Sequence, residues 1–482
     1  MVASECYPLI KTGGLADVVG ALPRGLAAMG CRTRVMLPNY PAVAAGILEP
    51  RPVARYDDLF GGPATLLAAR SRNGLDVLAL DARHLFARSG NPYLGADGRD
   101  WSDNHLRFAA LALAAARFVA DAPDDWSTDV VHCHDWQAGL VPVYLREEMS
   151  APPPVAFTIH NIAFPGLCAA SALTVLGLPP AGFTPAGFEY YGQISFLKAG
   201  LVYADALTTV SPTYAVELQS PAFGMGFEGV LQARRADLVG ILNGVDDEVW
   251  NPGTDPFIKA PYGPDAPEGK PVNRAALQDT MGLDPDPAAL LFCVVSRLTG
   301  QKGLDLLGEH LPTLVARGGQ LALLGTGSPD LEALFREAGA RHRGRIGVKI
   351  DYDEPLSHLF VAGADAILVP SRFEPCGLTQ LYGLRYGTVP VVARTGGLAD
   401  SVIDATEAAR AVGVATGIVF DPIDSARFGR ALVRAFELFA DRDAWAGLVR
   451  NGMRHPVGWP RSAGQYAALY RGLLEKRRRA AP

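Results

Sequence analysis

The chain has no uninterrupted apolar run of membrane-spanning length. Its most apolar helical segment, 108–122, is broken by Arg117 and bounded by Arg107, so it is not expected to cross a bilayer. It has no excess of positive charge either: 44 Lys and Arg stand against 50 Asp and Glu, a net charge of −6. That balance argues against bulk nucleic-acid binding and against attachment to an anionic membrane surface. Six cysteines (Cys6, Cys31, Cys133, Cys168, Cys293, Cys376) are scattered with no CxxC pair. Such spacing fits free thiols in a reducing cytoplasm. The opening MVASECYP lacks a charged segment followed by an apolar stretch, so no secretory leader is expected. The segment LLGTGSPD lacks the full GxGxxG, and its Gly325-Thr326-Gly327 is a weak signal by itself.

What is present is a long globular chain. At 482 residues, 49% hydrophobic and 20% charged, it exceeds one ordinary core, and two large domains are expected. Strand candidates in the first half are Thr33–Leu37, Val77–Leu80, Val130–His134, Val155–Ile159, Ala206–Val210 and Leu238–Leu242. The second half has Leu290–Ser296, Gln320–Leu324, Ile346–Ile350, Ala366–Val369 and Val389–Ala393. Many are apolar on both faces, as buried parallel strands are. Helix-period segments between them predict an α/β chain of doubly wound sheets. The Pro-, Gly- and Asp-rich stretch 244–275 reads as the interdomain connection, giving domains 1–243 and 244–455. Residues 456–482 then read as a terminal helix with a solvated basic tail at 476–479, packing back on the N-terminal domain. Only Val2-Ala3 precede Ser4-Glu5, so the first strand is expected to be weakened.

A hexapeptide occurs twice. Thr12-Gly13-Gly14-Leu15-Ala16-Asp17 returns as Thr395-Gly396-Gly397-Leu398-Ala399-Asp400, preceded by Lys11 in one copy and Arg394 in the other. A cation and a Gly pair ahead of a helix form an anion-binding turn, where backbone N–H groups and the helix dipole favour negative charge. The plain alternative is a tight turn with no ligand.

Four further segments carry chemistry. In SRLTGQKGLDLL (296–307), Arg297 and Lys302 lie at the start of a helix opened by Lys302-Gly303, where two cations can hold a diphosphate. In the segment Val369–Gln380, a strand stops at Pro370, Glu374 sits in the turn, and Gly377 is expected to open a helix whose first amides face a phosphate. A carboxylate beside an anion site suits a sugar hydroxyl or a developing oxocarbenium ion. VVHCHDWQAGL (130–140) and FTIHNIAFPG (157–166) both end as strands at polar residues, the edge where open α/β sheets bind ligands. His132, His134 and Asp135 lack a third metal ligand of motif spacing, so metal is not expected; His160 stands at a strand end where substrate can be met, but a lone His is more often structural or simply hydrogen-bonded. Asp284-x-Asp286 and Asp351-x-Asp353 read as solvated pairs.

Taken in order, KTGGLADVVGALP, GNPYL, HDWQAGL, TIHN, TTVSPTYA, LNGVD, SRLTGQKGLD, EPCGLTQLYGLRYGT and RTGGLADSV resemble the bacterial glycogen synthase and plant starch synthase family along essentially the whole chain. The resemblance implies two Rossmann-like doubly wound domains facing across a cleft, the GT-B architecture. It implies retaining transfer of glucose from ADP-glucose to the non-reducing end of an α-1,4-glucan such as glycogen, with no metal and no cofactor. It places Lys11 and Gly14 at the donor phosphates and sugar, Arg297 and Lys302 at the diphosphate, and Glu374 by the glucosyl unit. His160 and Asp135 line the sugar side, and Tyr93 and Asn243 are further cleft positions. Gly377, Leu378, Thr379 and Thr395 complete the expected donor contacts. Two departures stand out: the short start ahead of Ser4-Glu5, and Tyr382 at the position eight residues after Glu374, where related retaining transferases often carry a second Glu. Another GT-B transferase, a phosphorylase and a catalytically silent glucan-binding protein are the rival readings. Oligomeric state is not legible in the sequence.

Overall fold

The computed structural model describes residues 1–95, 97–123 and 126–480. The chain divides into two compact units, Met1–Gly244 with Trp459–Pro482, and Val245–Gly458.

The second unit is built on one six-stranded sheet, parallel throughout. In spatial order its strands are Ile346–Lys349, Gln320–Leu324, Leu291–Val295, Ala366–Val369, Val389–Ala393 and Ile418–Phe420. Numbered along the chain this is 3-2-1-4-5-6, the Rossmann order. Strands such as Gln320–Leu324 and Val389–Ala393 are buried at every residue, because helices cover both faces. Where the order reverses, Phe292 pairs with Ala366, and the strand ends open a crevice. SRLTGQKG leaves one of those two strands and PSRFEPCG leaves the other.

The first unit repeats the scheme. Asp76–Asp81 pairs parallel with Val35–Pro38, and a second group runs Leu238–Gly240, Ala206–Thr209, Val155–Ile159, Val131–His134, parallel throughout. Val2 alone bridges the groups, pairing with Met36 on one side and Cys133 on the other. The first strand is thus a single residue at the switch point, yet it sits where a Rossmann first strand belongs. Two antiparallel strands, Ile47–Tyr56 and Ala64–Ser71, extend the sheet beyond Asp76–Asp81.

Several sequence expectations need correction. The units divide at the start of the stretch 244–275, but most of that stretch is part of the second unit: Trp250 and Tyr262 are buried in its core, and Lys270 already opens the helix Lys270–Thr280. Residues 476–479 are not a tail but the last turns of the helix Trp459–Ala480, where cations complement the carbonyl end of the dipole. That helix packs Trp459, Ala463, Tyr466 and Ala467 onto Val18, Ala21, Leu22 and Leu26 of Gly14–Ala27. Asp353 caps the helix Glu354–Gly363 by accepting from Leu356 N at 2.9 Å and pairs with Lys349 at 2.7 Å; Asp286 pairs with Arg345 at 3.1 Å. No described helix is long and apolar enough to cross a membrane.

Candidate active site

In the second unit the two loops at the switch point are joined side chain to side chain. Lys302 Nζ lies 2.5 Å from Glu374 Oε2, and Ser371 Oγ donates to the same oxygen at 2.9 Å. Glu374 is 7% exposed. Backbone contacts brace the pair: Gln301 Nε2 donates to Phe373 O at 3.1 Å, and Arg372 N donates to Gln301 O at 2.9 Å. Arg372 also holds both carboxylate oxygens of Asp305 at 2.6 Å. Gly303 makes the approach possible. Its φ is +66°, and a Cβ there would lie 1.9 Å from Pro370 O.

Lys302 therefore sits in a short 3-10 turn, 300–302, and the helix proper starts at Leu304. Arg297 is exposed, and its guanidinium makes no hydrogen bond or ion pair with any described residue. Between them, Thr299 Oγ1 is buried with no hydrogen-bond partner among the described residues. Gly325 and Gly327 have a packing role: Cβ atoms there would meet Ser296 O at 1.9 Å and Leu298 O at 2.1 Å. The GxG lets its loop close on the Arg297 turn.

Gly377 does not open a helix. It stands at φ +68°, which no helical residue adopts, and the helix runs Thr379–Arg385 with Leu378 as cap. The amides of this first turn precede any intrahelical bond and are the group an anion would meet. Tyr382 is spent on packing: its ring stacks at 3.7 Å on Trp250, which stacks at 3.7 Å on His358.

The two TGGLAD copies do different work. In the first, Thr12, Gly13 and Gly14 are exposed and a Cβ on Gly13 would meet nothing within 4 Å. Glu5, which is buried, holds this turn: its Oε1 accepts from Thr12 Oγ1 at 2.6 Å, and its Oε2 accepts from Thr12 N and from Gly13 N at 3.3 Å. Tyr93 OH donates to Glu5 and lies 2.8 Å from Ser4 Oγ. Lys11 pairs with Asp17 at 3.0 Å. In the second copy Thr395, Gly396 and Gly397 are buried. Cβ atoms on the glycines would lie 2.0 Å from Glu374 O and 2.2 Å from Cys376 O. That copy lets one backbone pack against the loop carrying Glu374.

Tyr93 is fixed from behind by residues without a motif. Arg107, 1% exposed, donates to Leu85 O, Pro92 O and Asn104 Oδ1, and Asn104 Nδ2 donates to Tyr93 O at 3.0 Å.

His160 and Asp135 meet at the first unit's strand ends. Asp135 takes a left-handed φ of +54° and accepts from His160 N at 2.7 Å and Asn161 N at 3.3 Å. Strain of this kind collects at functional sites. Burial pushes the Asp135 carboxyl up to about 7 against the opposing amides, and burial pushes the His160 imidazole down to about 3. Asn243 Oδ1 is buried with no partner among the described residues, an acceptor a ligand can satisfy. Both ring nitrogens of His132 are engaged by side chains, 2.6 Å from Thr158 Oγ1 and 2.7 Å from Tyr470 OH. No group of three potential metal ligands exists among the described residues.

The chain is similar to known proteins along its length. The starch synthase catalytic domain family matches residues 1–233, and the glycosyl transferases group 1 family matches residues 289–437. A glycogen synthase of Roseobacter denitrificans is 55% identical over 98% of both chains. Glycogen synthase 1 of Rhizobium meliloti is 53% identical over 98% of this chain and 99% of its own. Among solved structures, the catalytic domain of starch synthase IV from Arabidopsis thaliana, bound to ADP and acarbose, has a TM-score of 0.90 at 31% identity over 98% of each chain. A sucrose-phosphate synthase from Thermosynechococcus elongatus, at 17% identity and a TM-score of 0.60, shares the fold.

Proposed function

This chain belongs to the glycogen synthase and starch synthase family of glucosyltransferases, and from that premise we propose that it moves glucose from ADP-glucose to the non-reducing end of an α-1,4-glucan such as glycogen. The observation that carries the reading is the Lys302–Glu374 pair at the switch point of the second unit, with the unengaged Arg297 guanidinium in the same loop as Lys302.

The chemistry follows from charge. The bond from the anomeric carbon to the diphosphate breaks, and negative charge gathers on the leaving phosphate. Arg297 supplies a fork of donors, and Lys302 keeps two N–H donors beyond the one given to Glu374. With the amides of Gly377, Leu378 and Thr379, which lead into the helix Thr379–Arg385, they stabilise that charge. Glu374 lies by the glucosyl unit and steadies positive character on it. The acceptor hydroxyl attacks from the face the diphosphate leaves, and its proton passes to the leaving phosphate oxygen, so configuration is retained. Lys11 and Gly14 serve the donor's phosphates and sugar. Asp135, His160, Asn243 and Tyr93 serve the sugar side. Thr395 contributes least, because it is buried and its amide is bonded to Ala393 O. The cysteines form no disulfide among the described residues, which suits a reducing cytoplasm.

The linkage is testable. Labelled glucose incorporated from ADP-glucose into glycogen is expected to be released as maltose by β-amylase, which cuts α-1,4 links inward from non-reducing ends. Label resistant to β-amylase rules the linkage out.

A further inference from the structure

His134 has a hydrogen-bonding arrangement that constrains its neighbour. Its ring is fully buried, with Nδ1 3.0 Å from His160 Nε2. Its Nε2 is buried with no hydrogen-bond partner among the described residues. One of the two facing nitrogens carries the shared hydrogen, which leaves two arrangements for neutral rings.

In the first, His134 Nδ1–H donates to His160 Nε2. The orphaned His134 Nε2 is then a bare lone pair, and the hydrogen of His160 sits on Nδ1. In the second, His160 Nε2–H donates to His134 Nδ1. The hydrogen of His134 then sits on Nε2 as a buried N–H with no acceptor. Orphaned buried N–H groups are rarer than under-used acceptors and forfeit a strong donor. Charged rings are not the resting state, since burial holds both imidazoles well below their usual range.

We propose that His134 is a positioning residue that holds His160 as its Nδ1–H tautomer, so that His160 offers a neutral N–H donor to a hydroxyl of the bound sugar. His160 Nδ1 has no partner among the described residues and keeps the contact with solvent that a ligand would replace. The ring behind His134 is held as well. His132 lies 4.1 Å from it, centroid to centroid, with both nitrogens engaged by Thr158 and Tyr470. The tautomer lock rests on the bond between the two rings and the orphaned His134 Nε2; the ligand half rests on the reading of His160 as a sugar-side residue.

Two-bond 1H–15N correlation spectra of the 15N-histidine-labelled full chain distinguish the tautomers, with the His160 signal assigned by its loss in His160→Gln. The expected result is Nδ1–H at His160; Nε2–H overturns the proposal without any variant. His134→Phe keeps ring shape but removes the donor. It is expected to release the tautomer and lower kcat about tenfold, the worth of one hydrogen bond, with donor KM within about twofold. His134→Asn, whose amide reaches the Nδ1 position, is expected to restore both. An unchanged tautomer and kcat in His134→Phe overturns the lock. Full turnover in His160→Ala, with the Nδ1–H tautomer intact in the parent, overturns the ligand half only.

Discussion

Lys302 Nζ and Glu374 Oε2 lie 2.5 Å apart across 72 positions of sequence, and Ser371 Oγ donates to the same carboxylate oxygen. The pair joins the loops after strands Leu291–Val295 and Ala366–Val369, where the sheet order reverses. Removing the ammonium removes both a partner of Glu374 and a cation for the leaving diphosphate. Lys302→Ala is therefore expected to lower kcat about 10²–10³-fold, the usual scale for one preorganised electrostatic contact. Its far-ultraviolet circular dichroism should match the parent. Near-normal turnover would remove Lys302 from its assigned role.

The twin glycine turns give a second contrast. Gly396 has φ +42° and a virtual Cβ 2.0 Å from Glu374 O, so Gly396→Ala is expected to cost about 2 kcal/mol or more and to displace the Glu374 loop. Gly13 is extended at φ −158° with nothing within 4 Å. Gly13→Ala should change stability by less than about 1 kcal/mol. Denaturation of the two variants beside the parent checks this; equal losses would contradict the division of labour.

Acid acts on the first unit through its buried rings. His132 and His134 are held well below the usual histidine value of 6.5, and His160 is held at about 3, all by burial. Lowered imidazoles give stability that is complete above about 6.5 and is lost as pH falls. Asp135, raised to about 7, acts the other way: its folded form keeps a proton that the unfolded chain releases above about 4. Below about pH 6 unfolding then takes up as many as three protons, one per ring, and releases one from Asp135. Stability should rise with pH by at most about 2.7 kcal/mol per unit. Hydrogen exchange of the amides in Val131–His134 and Val155–Ile159, corrected for intrinsic rates, reads this slope. His134→Phe should reduce it by one proton; a slope of opposite sign would refute the assignment.

Much of the fold was legible where local pattern and burial agree. Val155–Ile159, Gln320–Leu324 and Val389–Ala393 are apolar on both faces and are strands at those bounds. The hairpin Ile47–Tyr56 and Ala64–Ser71 escaped notice because its first strand holds two prolines and mostly exposed residues. Gly377 misled because a Gly before a helix pattern does not reveal its own φ. The motifs marked Lys302 and Glu374 separately, but their contact, the Glu5 clamp on Thr12 and the His134–His160 bond depend on chain closure over 72, 7 and 26 positions. In the same way, sequence identity between the TGGLAD copies hides that one turn is open and the other is packed under the Glu374 loop.

Release of ADP from ADP-glucose, followed with and without glycogen in the presence of EDTA and beside UDP-glucose, tests glucosyl transfer most directly. The expected result is ADP release that requires the glucan, persists in EDTA because Arg297 and Lys302 supply the positive charge, and exceeds release of UDP from UDP-glucose. Binding of glycogen without turnover of either donor, or faster turnover of UDP-glucose, would contradict it.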